Sequence, residues 1–117
     1  MTNLKTQKTD ILLEKIQSFI LQKRFKQAMK ICNDLLKTDK KNFHANANKA
    51  NILAELGFYN KSIPYFYRAL QSMPDDHFVL FNLATTLYDL ERYEEAIQLF
   101  DKVIKIWPKN VDAVCNK

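Results

Sequence analysis

The side chains able to do acid–base, nucleophilic or metal chemistry are few and widely spaced in this sequence. The two histidines, His44 and His77, stand thirty-three positions apart, a separation that helical spacing does not turn into a shared ligand geometry. The two cysteines, Cys32 and Cys115, lack the short Cys-x-x-Cys spacing of a zinc site and indicate no disulfide framework. The single glycine, Gly57, excludes glycine-rich phosphate-binding loops. The sequence therefore predicts no catalytic residue, no metal site and no cofactor.

Carboxamide side chains offer a different chemistry, because they recur at a fixed interval. Asn48, Asn82 and Asn116 follow one another in equal steps of thirty-four positions. A carboxamide carries both a hydrogen-bond donor and an acceptor, so it can pair with the backbone of a peptide of any sequence. A row of such groups on one face is a candidate binding surface.

The same interval relates residue types along nearly the whole chain. Matched columns hold small, aromatic, proline and helix-capping residues in turn: Ala28, Ser62 and Ala96; Phe25, Tyr59 and Tyr93; Pro74 and Pro108; Asn42, Asp76 and Asn110. A repeat of this length is typical of stacked helical units. We predict a polar leader, three units and the start of a further, truncated helix, over residues 1–8, 9–42, 43–76, 77–110 and 111–117 respectively.

Each unit has the apolar spacing of two amphipathic helices. In the last unit one stripe runs from Leu80 to Leu87 and a second from Ala96 to Ile104, with a polar break at Glu91 between them. In the middle unit Gly57 supplies a position that tolerates left-handed backbone between the helices. The predicted fold class is all-α.

The marker residues of the last unit resemble the pattern of the tetratricopeptide repeat (TPR) family: Leu80, Leu83, Ala84, Leu87, Ala96, Phe100 and Pro108. The middle unit departs from this pattern with Asn46 and Lys49 in two apolar columns. The first unit departs further, with Ile16 in a small column, Cys32 in an aromatic column and Lys40 in the proline column. The resemblance implies a right-handed α-solenoid of stacked antiparallel helical hairpins, with less close packing in the first unit.

The resemblance also implies a concave groove, lined by the first helix of each hairpin, that holds partner peptides. The candidate peptide-binding residues are His44, Asn48, Asn51, Phe78, Phe81, Asn82, Thr85 and Tyr88. The groove columns also include Ala54, Glu55 and Asp89. Phe78, Phe81 and Tyr88 lie outside the apolar stripe that runs from Leu80 to Leu87. We therefore expect them to pack against either a side chain of a partner, or a further repeat or an intramolecular helix.

One TPR subset clamps the C-terminal carboxylate of heat-shock chaperones with lysine and arginine in the groove. The matching columns here hold Leu13, Ala47, Phe78 and Asp112, and none of these is a cation. We therefore predict no tight recognition of a terminal carboxylate.

The charge of the chain is uneven. The net charge is +5, and the range 1–42 carries ten Lys and Arg against four acids. Because these cations are spread round a predicted helix without interleaved aromatic residues, a solvated face is the simpler interpretation, and nucleic-acid binding is the least favoured one. No apolar stretch is long and uninterrupted enough for a secretory signal or a membrane span, so a cytoplasmic protein without membrane contact is expected.

These observations predict a non-catalytic protein–protein interaction module that binds a peptide or helical segment of a partner in the concave groove. Such a module would be part of a larger scaffold or adaptor, with no small-molecule substrate. Two alternatives stay open: a regulatory TPR arm of a larger enzyme such as a glycosyltransferase, and a secretion-type chaperone. Self-association through the open C-terminal end is a further possibility.

Overall fold

The computed structural model describes residues 4–106, and over that range the chain forms six α-helices and no β-strand. The helices are α1 (Leu4–Leu21), α2 (Phe25–Thr38), α3 (Phe43–Glu55), α4 (Tyr59–Ser72), α5 (His77–Asp89) and α6 (Tyr93–Ile106). The all-α class predicted from the sequence is confirmed.

Consecutive helices pair into three hairpins, α1 with α2, α3 with α4, and α5 with α6, and each hairpin stacks on the next. The short connections make the paired helices antiparallel neighbours. The first pair has the least extensive contact of the three. Ile16, which is fully buried, occupies the column that Ala50 and Ala84 occupy in the other pairs, and its larger side chain prevents the close approach that alanine allows.

Capping residues set the starts of two helices. The side chain of Asn42 accepts a hydrogen bond from the Ala45 amide at 2.9 Å, and that of Asp76 accepts one from the Val79 amide at 3.0 Å. Both caps agree with the sequence prediction, whereas Asn110 lies outside the described residues. The first helix begins at Leu4 and so runs into the predicted polar leader over 1–8.

The turn inside each hairpin repeats the same backbone conformation. Lys23, Gly57 and Glu91, which share one column of the repeat, have positive φ angles of 59°, 89° and 62°. In each turn the next amide bonds back to the carbonyl five residues before it: Arg24 to Phe19 at 2.8 Å, Phe58 to Leu53 at 2.8 Å and Arg92 to Leu87 at 2.9 Å. This is the Schellman ending of a helix, and only Gly57 has the residue type that favours it.

The core divides into two clusters, one at each contact between neighbouring hairpins. We call the contact of the α1–α2 hairpin with the α3–α4 hairpin the first interface, and that of the α3–α4 hairpin with the α5–α6 hairpin the second interface. The first contains Ile16, Ala28, Cys32, Leu35, Ala45 and Ile52. The second contains Ala47, Ala50, Phe66, Ala69, Val79, Leu83, Leu87 and Ala96. Each interface therefore has its own apolar centre, and equivalent columns of the repeat contribute to both.

The outer face of the last hairpin is apolar and exposed. Ile63 and Leu70 of α4 are half-buried against the following hairpin, whereas the matching Ile97 and Ile104 of α6 are exposed. The columns that pack against the following hairpin in the middle unit are therefore also apolar in the last unit, where they are exposed among the described residues.

Candidate functional site

Two side-chain hydrogen bonds join the first helices of neighbouring hairpins. Gln17 Nε2 on α1 donates to Asn48 Oδ1 on α3 at 3.0 Å, and Asn82 Nδ2 on α5 donates to Asn51 Oδ1 on α3 at 3.1 Å. Both bonds join positions with the same sequence separation, so the two are equivalent rungs of one ladder. The sequence predicts an asparagine column, and the structure places its members in contact with the adjacent repeat. Asn116, the third member, lies outside the described residues.

The rungs leave some polar groups for other partners. Asn48 is only 8% exposed and therefore serves mainly the contact between hairpins. Asn51 and Asn82 are half-buried, and neither Asn51 Nδ2 nor Asn82 Oδ1 makes a hydrogen bond within residues 4–106. The second rung thus retains one donor and one acceptor beside each other.

A cleft of about 380 Å³ opens beside this second rung, and we call it the groove cleft. Its lining residues are Asn51, Ala54, Glu55, Tyr59, Phe66, Asn82, Thr85, Thr86 and Asp89. Three of the predicted site residues, Asn51, Asn82 and Thr85, therefore meet in one place. Sequence reasoning missed Tyr59 and Phe66 because they come from α4, the second helix of a hairpin. The aromatic column that Tyr59 shares with Phe25 and Tyr93 is the sequence signal that could have found it.

A smaller cleft of about 220 Å³ occupies the equivalent place at the first interface. It is lined by Ile20, Lys23, Phe25, Asn51, Ile52 and Glu55. Five of these six residues have an equivalent, thirty-four positions later, that lines the groove cleft. These equivalents are Ala54, Tyr59, Thr85, Thr86 and Asp89. Ile20 contributes to the difference in volume, because the much smaller Ala54 takes its place at the second interface.

Five predicted site residues do not line the groove cleft: His44, Asn48, Phe78, Phe81 and Tyr88. Phe78 and Tyr88 are 64% and 56% exposed, near the two ends of α5. The Phe81 ring is half-buried and meets Phe100 of its own hairpin edge-on at 5.6 Å. Tyr88 makes a similar contact with Tyr93 at 5.0 Å. Part of the Phe81 ring is therefore buried within its own hairpin, whereas the rings of Phe78 and Tyr88 are more than half exposed to solvent.

The groove cleft is acidic. Glu55 and Asp89, which share one column of the repeat, line it together with amide and hydroxyl groups, and no lysine or arginine of the described residues lines it. Neither carboxylate forms an ion pair within residues 4–106. Such a cleft repels a carboxylate ligand and attracts a cationic one.

Lys49 shows how a cation is accommodated in an apolar column. Its ammonium bonds to Asn33 Oδ1 of α2 at 2.6 Å and lies 4.3 Å from the centre of the Tyr65 ring on α4. The hydrogen bond from Lys49 lowers the pKa of Tyr65, against an opposing effect of partial burial, and Arg68 adds to the lowering. In the core of the first interface, burial raises the pKa of the Cys32 thiol to about 11, and the positive charge of Lys49 opposes this increase.

Metal-ligating side chains are not clustered in the described part of the chain. No three side chains of His, Cys, Asp or Glu in residues 4–106 are placed to hold a metal ion. No helix in the same range has the length and apolar character needed to cross a bilayer.

The stacked hairpins, their Schellman turns and their recurring clefts define a helical-repeat solenoid. Residues 43–109 match the family model described as tetratricopeptide repeat. The chain therefore belongs to the tetratricopeptide repeat family, as its marker residues indicate.

Known relatives agree on the fold. The chain is 31% identical over 71 residues to the TPR repeat-containing protein MJ1428 of Methanocaldococcus jannaschii, an alignment that covers 61% of this chain and 12% of that protein. The first TPR domain of Spaghetti (RPAP3), solved with the HSP90 peptide SRMEEVD, superposes with a TM-score of 0.85 at 19% identity, over 94% of this chain and 87% of that one. YrrB, described as a TPR protein with an unusual peptide-binding site, gives a TM-score of 0.79 at 19% identity, over 92% and 55%.

Proposed function

We propose that this chain is a non-catalytic protein-interaction module that holds an extended peptide or helical segment of a partner in its concave groove, as part of a larger scaffold or adaptor. The observation that carries the proposal is the groove cleft of about 380 Å³, where Asn51, Asn82 and Thr85 converge. Peptide complexes of similar folds add support, since the Spaghetti domain was solved with an HSP90 peptide and YrrB has a peptide-binding site.

The amides of the second rung suit a peptide backbone. A backbone amide and carbonyl of the ligand pair with Asn82 Oδ1 and Asn51 Nδ2, which have no other hydrogen-bond partner within residues 4–106. Because Asn51 and Asn82 already hold each other at 3.1 Å, their orientation is fixed before the ligand arrives. Preorganised contacts of this kind reduce the entropy lost on binding.

The exposed rings of α5 supply apolar contact. Phe78 and Tyr88 lie ten positions apart on the same helix, one near each end, and both are more than half exposed. Large aromatic side chains that bury their surface on binding are frequent centres of binding energy. We assign to them the apolar side chains of the partner segment.

The carboxylates of the groove cleft select the charge of the ligand. Glu55 and Asp89 favour a basic or neutral segment over an acidic one such as SRMEEVD, the peptide seen with Spaghetti. This preference agrees with the prediction that the chain does not recognise a terminal carboxylate tightly. The proposal also includes the cytoplasmic location expected from the sequence, and the free thiol of Cys32 suits a reducing compartment.

The experiment is a selection of peptides from a random display library on the full chain, followed by affinity measurement of the selected peptides. Ala54→Ile fills the groove cleft with the side chain that Ile20 provides at the first interface, and we expect it to weaken the selected peptides about tenfold or more. Asn60→Ala is the matched control, because Asn60 is exposed on α4 and lines neither groove-side cleft.

Three results would contradict the proposal in whole or in part. The first is a library that yields no binder, and the second is a set of selected peptides that bind the Ala54→Ile variant as tightly as the native chain. The third, submicromolar binding of SRMEEVD that Asn82→Ala abolishes, would contradict only the proposed charge preference and the predicted lack of carboxylate recognition. Circular dichroism of each variant verifies that the helices are intact.

A further inference from the structure

Departures from the repeat pattern meet at the outer edge of the first interface, on the linker between α2 and α3. Lys40 stands in the proline column of this linker, and Asn46 stands in the column that Leu80 occupies in the last unit. The side chain of Asn46 is fully buried, and its Nδ2 donates to the carbonyls of Lys40 at 3.0 Å and Asn42 at 3.1 Å. The exceptional asparagine therefore fixes the backbone that carries the exceptional lysine.

A second side chain holds the same linker from the neighbouring hairpin. Ser72 Oγ at the end of α4 donates to the carbonyl of Lys41 at 2.8 Å. Both lysines of the linker are thus attached to backbone that is tied on two sides. Their side chains, in contrast, are exposed.

These lysines line a cleft of about 450 Å³, which we call the basic cleft. Its lining residues are Leu36, Lys40, Lys41, Arg68 and Gln71. Within residues 4–106 the lining contains three cations and no acid, and none of the three cations forms an ion pair. Cations that share a cleft without a carboxylate repel one another, and an anion relieves that repulsion.

The second interface provides an internal comparison. The residues one repeat after Lys41 and Arg68 are Asp75 and Lys102, and these form an ion pair at 3.7 Å. The repeat therefore places a linker residue and a residue of the second helix next to each other at both interfaces. At the second interface the two charges neutralise each other, whereas at the first both are positive.

Arg68 has a support other than a carboxylate. Its guanidinium lies 5.0 Å from the centre of the Tyr65 ring, the same ring that lies 4.3 Å from the Lys49 ammonium. The interaction with Tyr65 limits the motion of the guanidinium, and because a guanidinium carries five N–H donors, it retains donors for an oxyanion.

We infer that the basic cleft binds a phosphate group carried by a phosphorylated residue of a protein partner. A phosphate with close to two negative charges offsets most of the charge of Lys40, Lys41 and Arg68, whereas a single carboxylate leaves two positive charges without compensation. The arginine supplies a planar fork for two phosphate oxygens, and the lysines supply point charges. The cleft is much larger than a phosphate ion, so it has room for the residue that bears the group. This site lies outside the groove-cleft lining and does not depend on the function proposed for the groove.

The test measures binding of a fluorescent phosphoserine peptide to the full chain at about 0.15 M salt, where nonspecific attraction is screened. The variant is Lys41→Asp, which gives the linker the charge that Asp75 has at the second interface. We expect it to weaken the phosphopeptide about tenfold or more while the melting temperature stays equal or rises, because the introduced carboxylate can pair with Arg68. Lys30→Glu, at an exposed position of α2 outside the basic cleft, makes the same change in net charge and is expected to leave the affinity within about twofold.

Competitors distinguish the source of the phosphate. Inorganic phosphate that displaces the peptide only in large excess supports a peptide-borne group, and displacement at comparable concentrations overturns it. Equal binding of the peptide without its phosphate overturns the proposal. So does a single-stranded RNA that binds more tightly than the phosphopeptide and is weakened equally by both variants, since that result indicates attraction to the whole basic surface.

Discussion

The two interfaces between hairpins use the same columns of the repeat but present different surfaces. On the groove side, Ile20 narrows the first cleft to about 220 Å³, whereas Ala54 leaves about 380 Å³ at the second. Beside the linker between hairpins, Asp75 and Lys102 form an ion pair at 3.7 Å at the second interface. The equivalent residues at the first interface, Lys41 and Arg68, are both cations, and neither forms an ion pair within residues 4–106. The groove-side clefts recur with the period of the repeat, and substitutions in the equivalent columns change the size of a cleft or the charge beside it.

The cores of the two interfaces also hold different residue types in equivalent columns of the repeat. Cys32 is fully buried at the first interface in the column that Phe66 fills at the second. Lys49 lies at the edge of the first interface, where it bonds to Asn33. The residue in the same column of the last unit is Leu83, which is fully buried. The second interface is thus the more apolar of the two, and four predictions test this difference in order of decreasing effect.

The largest effect is expected from shortening the leucine column. Leu83→Ala removes a fully buried side chain and should lower the free energy of unfolding by about 2–5 kcal/mol, because a cavity replaces lost contacts. Lys49→Ala at the matching position should cost only about 1 kcal/mol, since it removes a hydrogen bond and a ring contact at a partly exposed site. Urea denaturation of both variants measures the difference, and equal costs would contradict it.

A loss of stability at high pH should originate from Cys32 at the first interface, whereas the lowered pKa of Tyr65 acts in the opposite direction as the pH rises. The pKa of Cys32 is about 11 in the folded chain against an ordinary value of 9.0, so the folded state favours the neutral thiol. The stabilisation is complete below about pH 9 and is lost as the pH rises towards 11, with a loss of about 1.4 kcal/mol by pH 10. Denaturation at pH 7 and pH 10 should show this loss in a Cys115→Ser background. The loss should be absent when Cys32→Ala is added, and its persistence there would assign it to other groups.

The two rungs of the amide ladder should be similar in strength, but removal of their asparagines should differ in cost. Double-mutant cycles on Gln17 with Asn48, and on Asn51 with Asn82, should each give a coupling of about 0.5–1.5 kcal/mol. Asn48→Ala should cost more than Asn82→Ala, because Asn48 is the more buried. A zero coupling at either rung would show that the bond contributes nothing to the stacking of hairpins.

The smallest effect concerns the turns, where the hairpins should prove equivalent. Lys23→Gly and Glu91→Gly should each raise the free energy of unfolding by about 0.5–1 kcal/mol, because both native residues have positive φ angles. Gly57→Ala should lower it by about 1 kcal/mol through backbone strain alone, since no atom lies within 4 Å of the added Cβ. Thermal melts of the three variants suffice, and a destabilising glycine would refute the equivalence.

The period of the repeat made most of the fold predictable. Small and large residues alternate by column because helices in contact must interlock, so the hairpins and their order could be derived from spacing. The caps Asn42 and Asp76 were predicted from their side-chain chemistry and their recurrence at the interval of the repeat. The left-handed turns at Lys23 and Glu91 could not be, because their conformation is imposed by the hairpin and not by the residue type.

The candidate site was less accessible to sequence reasoning. The sequence predicts groove-facing columns on the first helix of each hairpin, yet the pairing of Asn51 with Asn82 depends on a 3.1 Å distance between two repeats that spacing does not give. Phe81 was expected as a groove anchor, but the ring of Phe100 in its own hairpin takes up part of its surface. The basic cleft could not be predicted because its cations are divided between a linker and the second helix of the following hairpin.

The amide rungs also connect ligand capture to the mechanics of the solenoid. Within residues 4–106 they are the side-chain hydrogen bonds that link α1 with α3 and α3 with α5 along the hollow side. A ligand that bonds to both Asn51 Nδ2 and Asn82 Oδ1 leaves the second rung intact and adds a further connection between α3 and α5. Occupation of the groove would then stiffen the stack of helices at the second interface.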